Sequence, residues 1–406
     1  MQLFILLAWR NLWRNKRRTI IASASIFFAI LLALIMRSMQ HGTYNYMIDS
    51  MVRMYTGYLQ IHSKGYWEER SLEKSIQVEE SQLQKIGKIN HVSLVVPRLE
   101  NFMLVSSEEI TKVASIFSIL PEIEDSLSKL KSKVVTGRYL NSDDEGILIS
   151  EGLAKMLNVK VGDSIVLYGQ GIYGITAAAN SKIIGIIRFA LPELNNTIVY
   201  LPLKYGQNLF GMENRLTSMS IMIDDLEKIS FVKNEIEKLF DESFEVMTWD
   251  EMMPELVQGI QLDSVSGLIM LFILYMIVTF GILGTIMMMT AERTREYGIL
   301  ISIGMKKKWL MLTSLFESIF ISLIGAFSGL IVAIPAIIYF SNYPIRFTGE
   351  VEELFLKFGF EPIIPFSTNP KIFFAHTLIV LAIAMLSALY PISYIRKLEP
   401  VKAIRI

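Results

Sequence analysis

The 406-residue chain contains no cysteine. Disulfides, thiolate metal sites and an acylated lipobox cysteine are therefore excluded. Histidine is scarce: His41, His62, His91 and His376 are scattered, with no metal-ligand spacing. An excess of one charge is missing too, since 39 basic and 39 acidic residues give a formal net charge of zero. Nothing in that balance implies attraction to nucleic acid. Catalytic signatures are absent. No G-x-x-x-x-G-K-[ST] occurs, so the chain cannot cradle ATP phosphates in a P-loop. No G-x-S-x-G, H-E-x-x-H or EF-hand pattern occurs either. A chain that does no catalysis by itself is the expectation.

Apolar sequence is abundant: 52% of residues are hydrophobic against 19% charged. That mixture implies membrane helices plus a sizeable water-soluble domain. Four runs are long enough to cross a bilayer, for which about 20 apolar residues suffice: 19–36, 265–290, 310–340 and 371–391. Pro335 is expected to kink the third and Pro391 to close the fourth. Basic residues in short flanks set orientation. Arg10, Arg14, Lys16, Arg17 and Arg18 precede the first run, and Arg293, Arg295, Lys306, Lys307 and Lys308 separate the second from the third. Arg396, Lys397, Lys402 and Arg405 follow the fourth. The loop 341–370 carries only Arg346 and Lys357 inside it, against Glu350, Glu352, Glu353 and Glu361. With four spans all three basic flanks fall on one side, which places both termini, the connector 291–309 and the tail 392–406 in the cytoplasm. The segment 37–264 and the loop 341–370 are then extracytoplasmic.

The leading segment 1–18 does not read as a cleavable signal, which would put a small-residue site after its apolar core. Trp9 and Trp13 are four apart, as are Arg10, Arg14 and Arg18. That spacing predicts an amphipathic helix lying at the inner membrane surface. The segment 37–264 is too long for a loop. Strands are expected at 56–63, 91–99, 146–150, 181–189, 196–202, 218–225 and 243–249, a turn and then a strand at 161–169, and helices at 151–158 and 226–240. This is an α+β pattern. Gly169–Gly174 spells G-x-G-x-x-G, but another strand follows it where a dinucleotide site needs a helix. A hairpin tip is the expected structure.

Three smaller features stand out. Glu317 lies about two turns into the third run, where an ionisable group is costly unless it reaches water or pairs with a base. Gly325 and Gly329 form G-x-x-x-G, which permits close helix approach, expected here within one chain. Met287 to Met289 end the second run as ordinary lipid-facing packing or as an adaptable surface for acyl chains.

The stretch "ERTREYGILISIGMKKKWL", followed by "FESIFISLIGAFSG", resembles the motif of the FtsX/MacB/LolC–LolE permease family. The matching positions are Glu292, Arg293, Glu296, Gly298 and Gly304, with Glu317 and Gly325 beyond. The end "RKLEPVKAIRI" and the start "AWRNLWRNKRRT" are similar to that family's tail and leading segment. Within 37–264, "VVTGRYL", "ILISEGLAKMLNVKVGDSIVLYG", "KIIGII" and "IVYLPL" resemble a MacB-type periplasmic core domain. The resemblance implies four transmembrane helices with an α+β MacB-like core domain between the first and second. It implies a permease subunit of an ABC transporter of the mechanotransmission kind, without enzymatic activity of its own. A LolD/MacB-like ATPase dimer on separate chains would bind ATP and magnesium, and this chain would hold no cofactor. A second permease subunit, identical or homologous, would complete the assembly. Glu292, Arg293, Thr294, Arg295, Glu296, Tyr297, Gly298 and Gly304 would contact the ATPase, with Gly298 and Gly304 bracketing a short helix or turn.

Length, span number and the lack of a fused ATPase match the LolC/LolE type best. That match implies extraction of lipoproteins or another amphiphile from the outer leaflet of the inner membrane, with a periplasmic carrier as a further partner. The turn at 168–181 is shorter than the carrier-docking hook of the LolC type. An FtsX-like regulator of a cell-wall hydrolase and a MacB-like efflux component are the alternatives. The sequence singles out no substrate-contacting residue.

Overall fold

In lipid, each backbone amide must find its partner within its own segment. The computed structural model obeys that rule with, among the described residues, four helices long and apolar enough to cross a membrane: Lys16–Thr56, Pro254–Glu292, Lys307–Asn342 and Pro370–Lys397. The structure describes residues 2–14, 16–108, 110–189, 191–357 and 362–405. Glu361, one of the loop carboxylates, lies outside them. The chain divides into two units. One comprises Met1–Tyr46, Gly259–Arg346 and Ile363–Ile406, and the other Met47–Gln258 and Phe347–Pro362.

The first three apolar runs each lie within one helix, and those helices outlast the runs. The first continues past Met36 to Met51 and then tightens into a π turn, Val52–Thr56. Arg37, Ser38 and Gln40 end the apolar run without breaking the helix, because polarity alone does not interrupt the backbone ladder. Nor does Pro391 close the fourth span. The break falls at Ala388, and Pro391 sits in the first turn of a new helix, Leu389–Lys397. There its missing N–H removes no hydrogen bond. The third helix is a single element through Pro335.

The bundle core joins Ile26, Ala29, Ile30 and Leu34 of the first span to Ile321, Ala326, Ala333 and Ile337 of the third and Val380 and Ala384 of the fourth. Gly325 and Gly329 explain how closely the first and third helices approach. A Cβ at Gly325 would stand 2.7 Å from the Ser23 carbonyl oxygen and 2.7 Å from Ile26 Cβ, and one at Gly329 3.1 Å from Ile30 Cβ. The G-x-x-x-G pair thus serves packing within the chain. Gly325→Leu is expected to prevent that approach and to abolish recovery of folded chain from membranes, measured as the monodisperse fraction after solubilisation. The second span is the least covered, with 17% of its apolar window buried against 39% in the first and third.

The leading helix, Gln2–Arg14, buries Ala8 and Leu12. It packs on the third span, with Trp9 edge-on to Phe320 at 5.5 Å and to Trp13 at 5.9 Å.

The other unit is built on a ten-stranded mixed sheet. Its path runs Phe244–Thr248, Leu59–Ser63, Ser218–Ile223, Val92–Ser106, Thr111–Ile119, Ile198–Pro202, Ile147–Ser150, Thr176–Ile187 and Val134–Gly137. Ser164–Gln170 pairs with Val92–Ser106 and Thr176–Ile187 off that path. Two pairings are parallel, Thr111–Ile119 with Ile198–Pro202 and Ile147–Ser150 with Thr176–Ile187. The G-x-G-x-x-G segment is a hairpin tip, with Tyr173 at φ 55° and Gly174 at φ 77° before the returning strand. The strand Thr111–Ile119 and the helix Pro121–Ser128 were not foreseen.

That helix carries one half of a buried ion pair. Arg98 donates from Nε to Glu124 Oε2 (2.9 Å) and from Nη2 to Oε1 (2.6 Å). Its Nη1 donates to the Tyr55 carbonyl in the π turn. Two positions along the strand, Glu100 accepts from Ser218 Oγ at 3.2 Å and from Arg70 Nη1 at 3.3 Å. Burial pushes the Glu100 carboxyl above its ordinary value, against the pull of Arg98 and Arg70. The folded state therefore holds this proton more tightly than the unfolded chain. Stability from this group is fully present below the ordinary carboxylate range and is lost as pH rises through the raised value. Glu100→Gln is expected to raise the melting temperature at neutral pH. The gain should shrink to nothing in acid, as thermal unfolding at several pH values would show.

Candidate functional site

The second spanning helix ends at Glu292, and Arg293 leaves helical geometry at φ −93°, ψ 2°. A nine-residue helix, Thr294–Ser302, follows. It closes with a Schellman motif: Gly304 N–H donates to the Ile301 carbonyl and Met305 N–H to that of Leu300, both at 3.0 Å. Gly304 adopts φ 106°, which glycine reaches without a Cβ penalty. The connector helix is thus bracketed by Arg293 and Gly304. Gly298 is no bracket; it lies buried in mid-helix.

One face of this helix is fixed in place. Tyr297 packs with Leu310, Ile395, Leu398 and Ala403. Thr294 Oγ1 meets Tyr394 OH at 3.0 Å. The tail helix Pro400–Arg405 lies against the connector. Lys307 Nζ donates to the carbonyls of Arg396 (3.1 Å) and Leu398 (2.6 Å), satisfying acceptors that the end of Leu389–Lys397 leaves open.

Charge fixes it further. Arg293 pairs with Glu317, their side chains only 11% and 7% exposed. Glu317 Oε1 also accepts from Asn11 Nδ2 at 2.5 Å, and the Arg293 guanidinium lies 5.4 Å from the Tyr297 ring centre. So Glu317 meets a base, one of the two outcomes its position allowed. Arg14 reaches Glu296 at 2.7 Å, Arg18 pairs with Glu292, and Arg293 Nε approaches Glu296 at 3.4 Å. The leading helix, connector and third span share one network. Its outer pairs are solvent-exposed and each adds at most about 1 kcal/mol. Arg14→Ala should therefore lower the melting temperature by no more than a few degrees in a thermal scan.

Among the described residues, none covers the opposite face. Arg295, Glu296, Ile299, Leu300 and Ser302 are exposed, and Ile303 is 80% exposed. Among the residues singled out from sequence, Glu292, Arg295, Glu296 and Gly304 lie on the exposed side. Arg293, Thr294, Tyr297 and Gly298 point inward or form the joint. Sequence reasoning passed over Ile299, Leu300 and Ile303. Their signal was present: 296, 299, 300 and 303 follow the i, i+3, i+4, i+7 spacing of a single helix face.

Comparison with known proteins agrees with this architecture. The family model described as FtsX-like permease C-terminal matches residues 268–400, which include the connector. The MacB-like periplasmic core domain matches residues 19–239, more than half of the chain. An uncharacterized ABC transporter permease of Methanocaldococcus jannaschii is 22% identical over 346 residues, 81% of this chain and 82% of that protein. The lipoprotein-releasing system transmembrane protein LolC of Xylella fastidiosa is 21% identical over 322 residues, 76% of each chain. The macrolide export ATP-binding/permease protein MacB of Campylobacter jejuni is 20% identical over 354 residues, 84% of this chain but 54% of that longer one.

Proposed function

Because the chain belongs to the FtsX-like, MacB-like family of ABC transporter permeases, we propose that its connector helix is the seat of a separate ATPase dimer. ATP and magnesium are bound there, on the partner chains. The observation that carries this reading is the two-faced connector: one face is locked to the bundle by Tyr297, Arg293 and Lys307, and the other presents Ile299, Leu300 and Ile303 uncovered. An apolar row rimmed by Arg295 and Glu296 has the make-up of a protein interface core and its polar rim. A rigidly mounted face can deliver a push where a floppy loop cannot.

The basic flanks support a cytoplasmic position for the connector and both termini. The sheet unit, between the first and second spans, then works outside the inner membrane, and a second permease subunit completes the assembly. The likeness to LolC supports a lipoprotein or related amphiphile, taken from the outer leaflet, as cargo. A periplasmic carrier would receive it, although the 168–181 turn is short for docking one. Macrolide-type efflux is the second reading, supported by the likeness to MacB across most of this chain.

The test is co-purification with the ATPase. Ile303→Asp places a charge on the exposed apolar row, and Gly304→Pro forbids the closing turn, since proline fixes φ near −65°. Both should lower ATPase recovery at least tenfold while insertion is preserved; Glu296→Lys should weaken it less. Undiminished complex and undiminished stimulated hydrolysis in all three would overturn the assignment.

A further inference from the structure

We propose that the first and second spanning helices are clasped by side chains at the end of the bundle away from the connector, and that this clasp stays closed while the protein works, so that the two helices carry motion as one body. The proposal rests on the connector being an ATPase seat, since a push received there is of use only if it leaves the bundle at the other end.

Four side chains make the clasp. Arg37, Gln40 and Tyr44 follow i, i+3, i+7 along one face of the first helix. Arg37 Nη1 donates to Gln40 Oε1 at 2.5 Å, Gln40 Nε2 donates to Tyr44 OH at 2.7 Å, and Tyr44 OH donates to Asp263 Oδ2 of the second helix at 2.6 Å. Gln40 Nε2 also reaches the Asp263 carbonyl at 3.1 Å. Every bond in this chain runs the same way, from a guanidinium to a carboxylate, so each polarises the next. Gly267 makes the room: a Cβ there would stand 2.2 Å from Gln40 Nε2.

The first helix cannot turn away from this contact, because another of its faces is gripped as well. Ser38 Oγ donates to the Ser367 carbonyl at 2.6 Å, and the Ser367 N–H donates back to the Ser38 carbonyl at 2.9 Å. A Cβ on Gly42 would stand 2.3 Å from the Pro365 carbonyl oxygen. Tyr275 OH meets His376 Nδ1 at 2.7 Å, which ties the second helix to the fourth. At the connector end of the same two helices, Arg18 pairs with Glu292. All of these contacts lie within one chain, so none of them needs a second subunit.

The chain has no cysteine of its own, so a covalent lock can be added. Gln40→Cys with Gly267→Cys puts two short side chains where a Gly267 Cβ would lie 2.7 Å from Gln40 Cδ, and oxidation joins the helices. Amide exchange of the full-length chain in nanodiscs is the first measurement. Asp263→Ala should speed exchange about tenfold in 37–46 as well as in 259–267, although it alters one helix only. The oxidised lock, added to the Asp263→Ala chain, should restore slow exchange in both segments. Unchanged exchange in 37–46 would overturn the clasp. The second measurement places the lock, with Asp263 intact, in the complex with the ATPase. ATP hydrolysis that is the same before and after reduction of the lock supports helices that work joined. Hydrolysis that returns only on reduction means that they must part, and overturns the proposal. Failure to form any complex would count against the ATPase seat instead, and the exchange result would then decide the clasp.

Discussion

Replacing Glu317 by alanine is expected to destabilise the full-length chain by about 3–5 kcal/mol, the cost of leaving a buried charge without its partner. The stranded group is the Arg293 guanidinium. Its remaining carboxylate neighbour, Glu296, stands at 3.4 Å from Nε and is already engaged by Arg14 at 2.7 Å. Asn11 Nδ2 loses its acceptor at the same time. Thermal unfolding in detergent, followed by fluorescence of Trp9, Trp13 and Trp309, reports on this end of the bundle. Arg293→Met with Glu317→Leu should recover most of the loss, because both charges vanish and apolar volume replaces them. That recovery separates two roles. If the pair only holds the fold, the double variant works normally. If it also stiffens the connector, the double variant folds and binds the proposed ATPase, but cargo no longer stimulates that partner's hydrolysis. A single variant within about 0.5 kcal/mol of wild type would show that water reaches the site and that the pair is not buried in solution.

The spans were legible because lipid demands long apolar runs and tolerates few alternatives. Their ends were not. Arg37 stops the run but not the helix, and Pro391 starts a helix where the pattern suggested a stop. At the connector the charges were visible, but the choice of inner face was not. It is made by Ile395, Leu398 and Ala403, about a hundred residues away, and no local pattern encodes so distant a contact. Glu317 was legible as an energetic cost and open as to its partner. Gly325 and Gly329 were legible outright, since small residues four apart have few other uses between apolar helices. Within the sheet unit, strands were read where β-branched apolar residues cluster. The stretch 111–119 went unread, and with it the helix that follows.

Arg98 shows what that omission conceals, and Arg98→Ala carries the second large expected effect, a loss of about 3–5 kcal/mol from the sheet unit. From sequence Arg98 is one residue of the strand expected at 91–99. In the structure it is 1% exposed and its partner Glu124 0%. The guanidinium also holds the Tyr55 carbonyl, so its loss frees an acceptor in the π turn that ends the long first helix as well as stranding Glu124. The two consequences can be separated. Glu124→Ala leaves Arg98 charged, buried and still bonded to Tyr55, whereas Arg98→Met with Glu124→Leu removes both charges and the Tyr55 bond together. If the ion pair alone matters, the double variant unfolds near the wild-type temperature and both single variants fall far below it. If the Tyr55 bond also matters, the double variant retains a deficit of about 1 kcal/mol, the usual worth of one hydrogen bond. Amide exchange should then speed up at 52–57 and stay unchanged in Leu59–Ser63. Exchange at 52–57 that matches the wild type in the double variant would mean the π turn is held by its own backbone, and Arg98 would be only the counter-ion of Glu124.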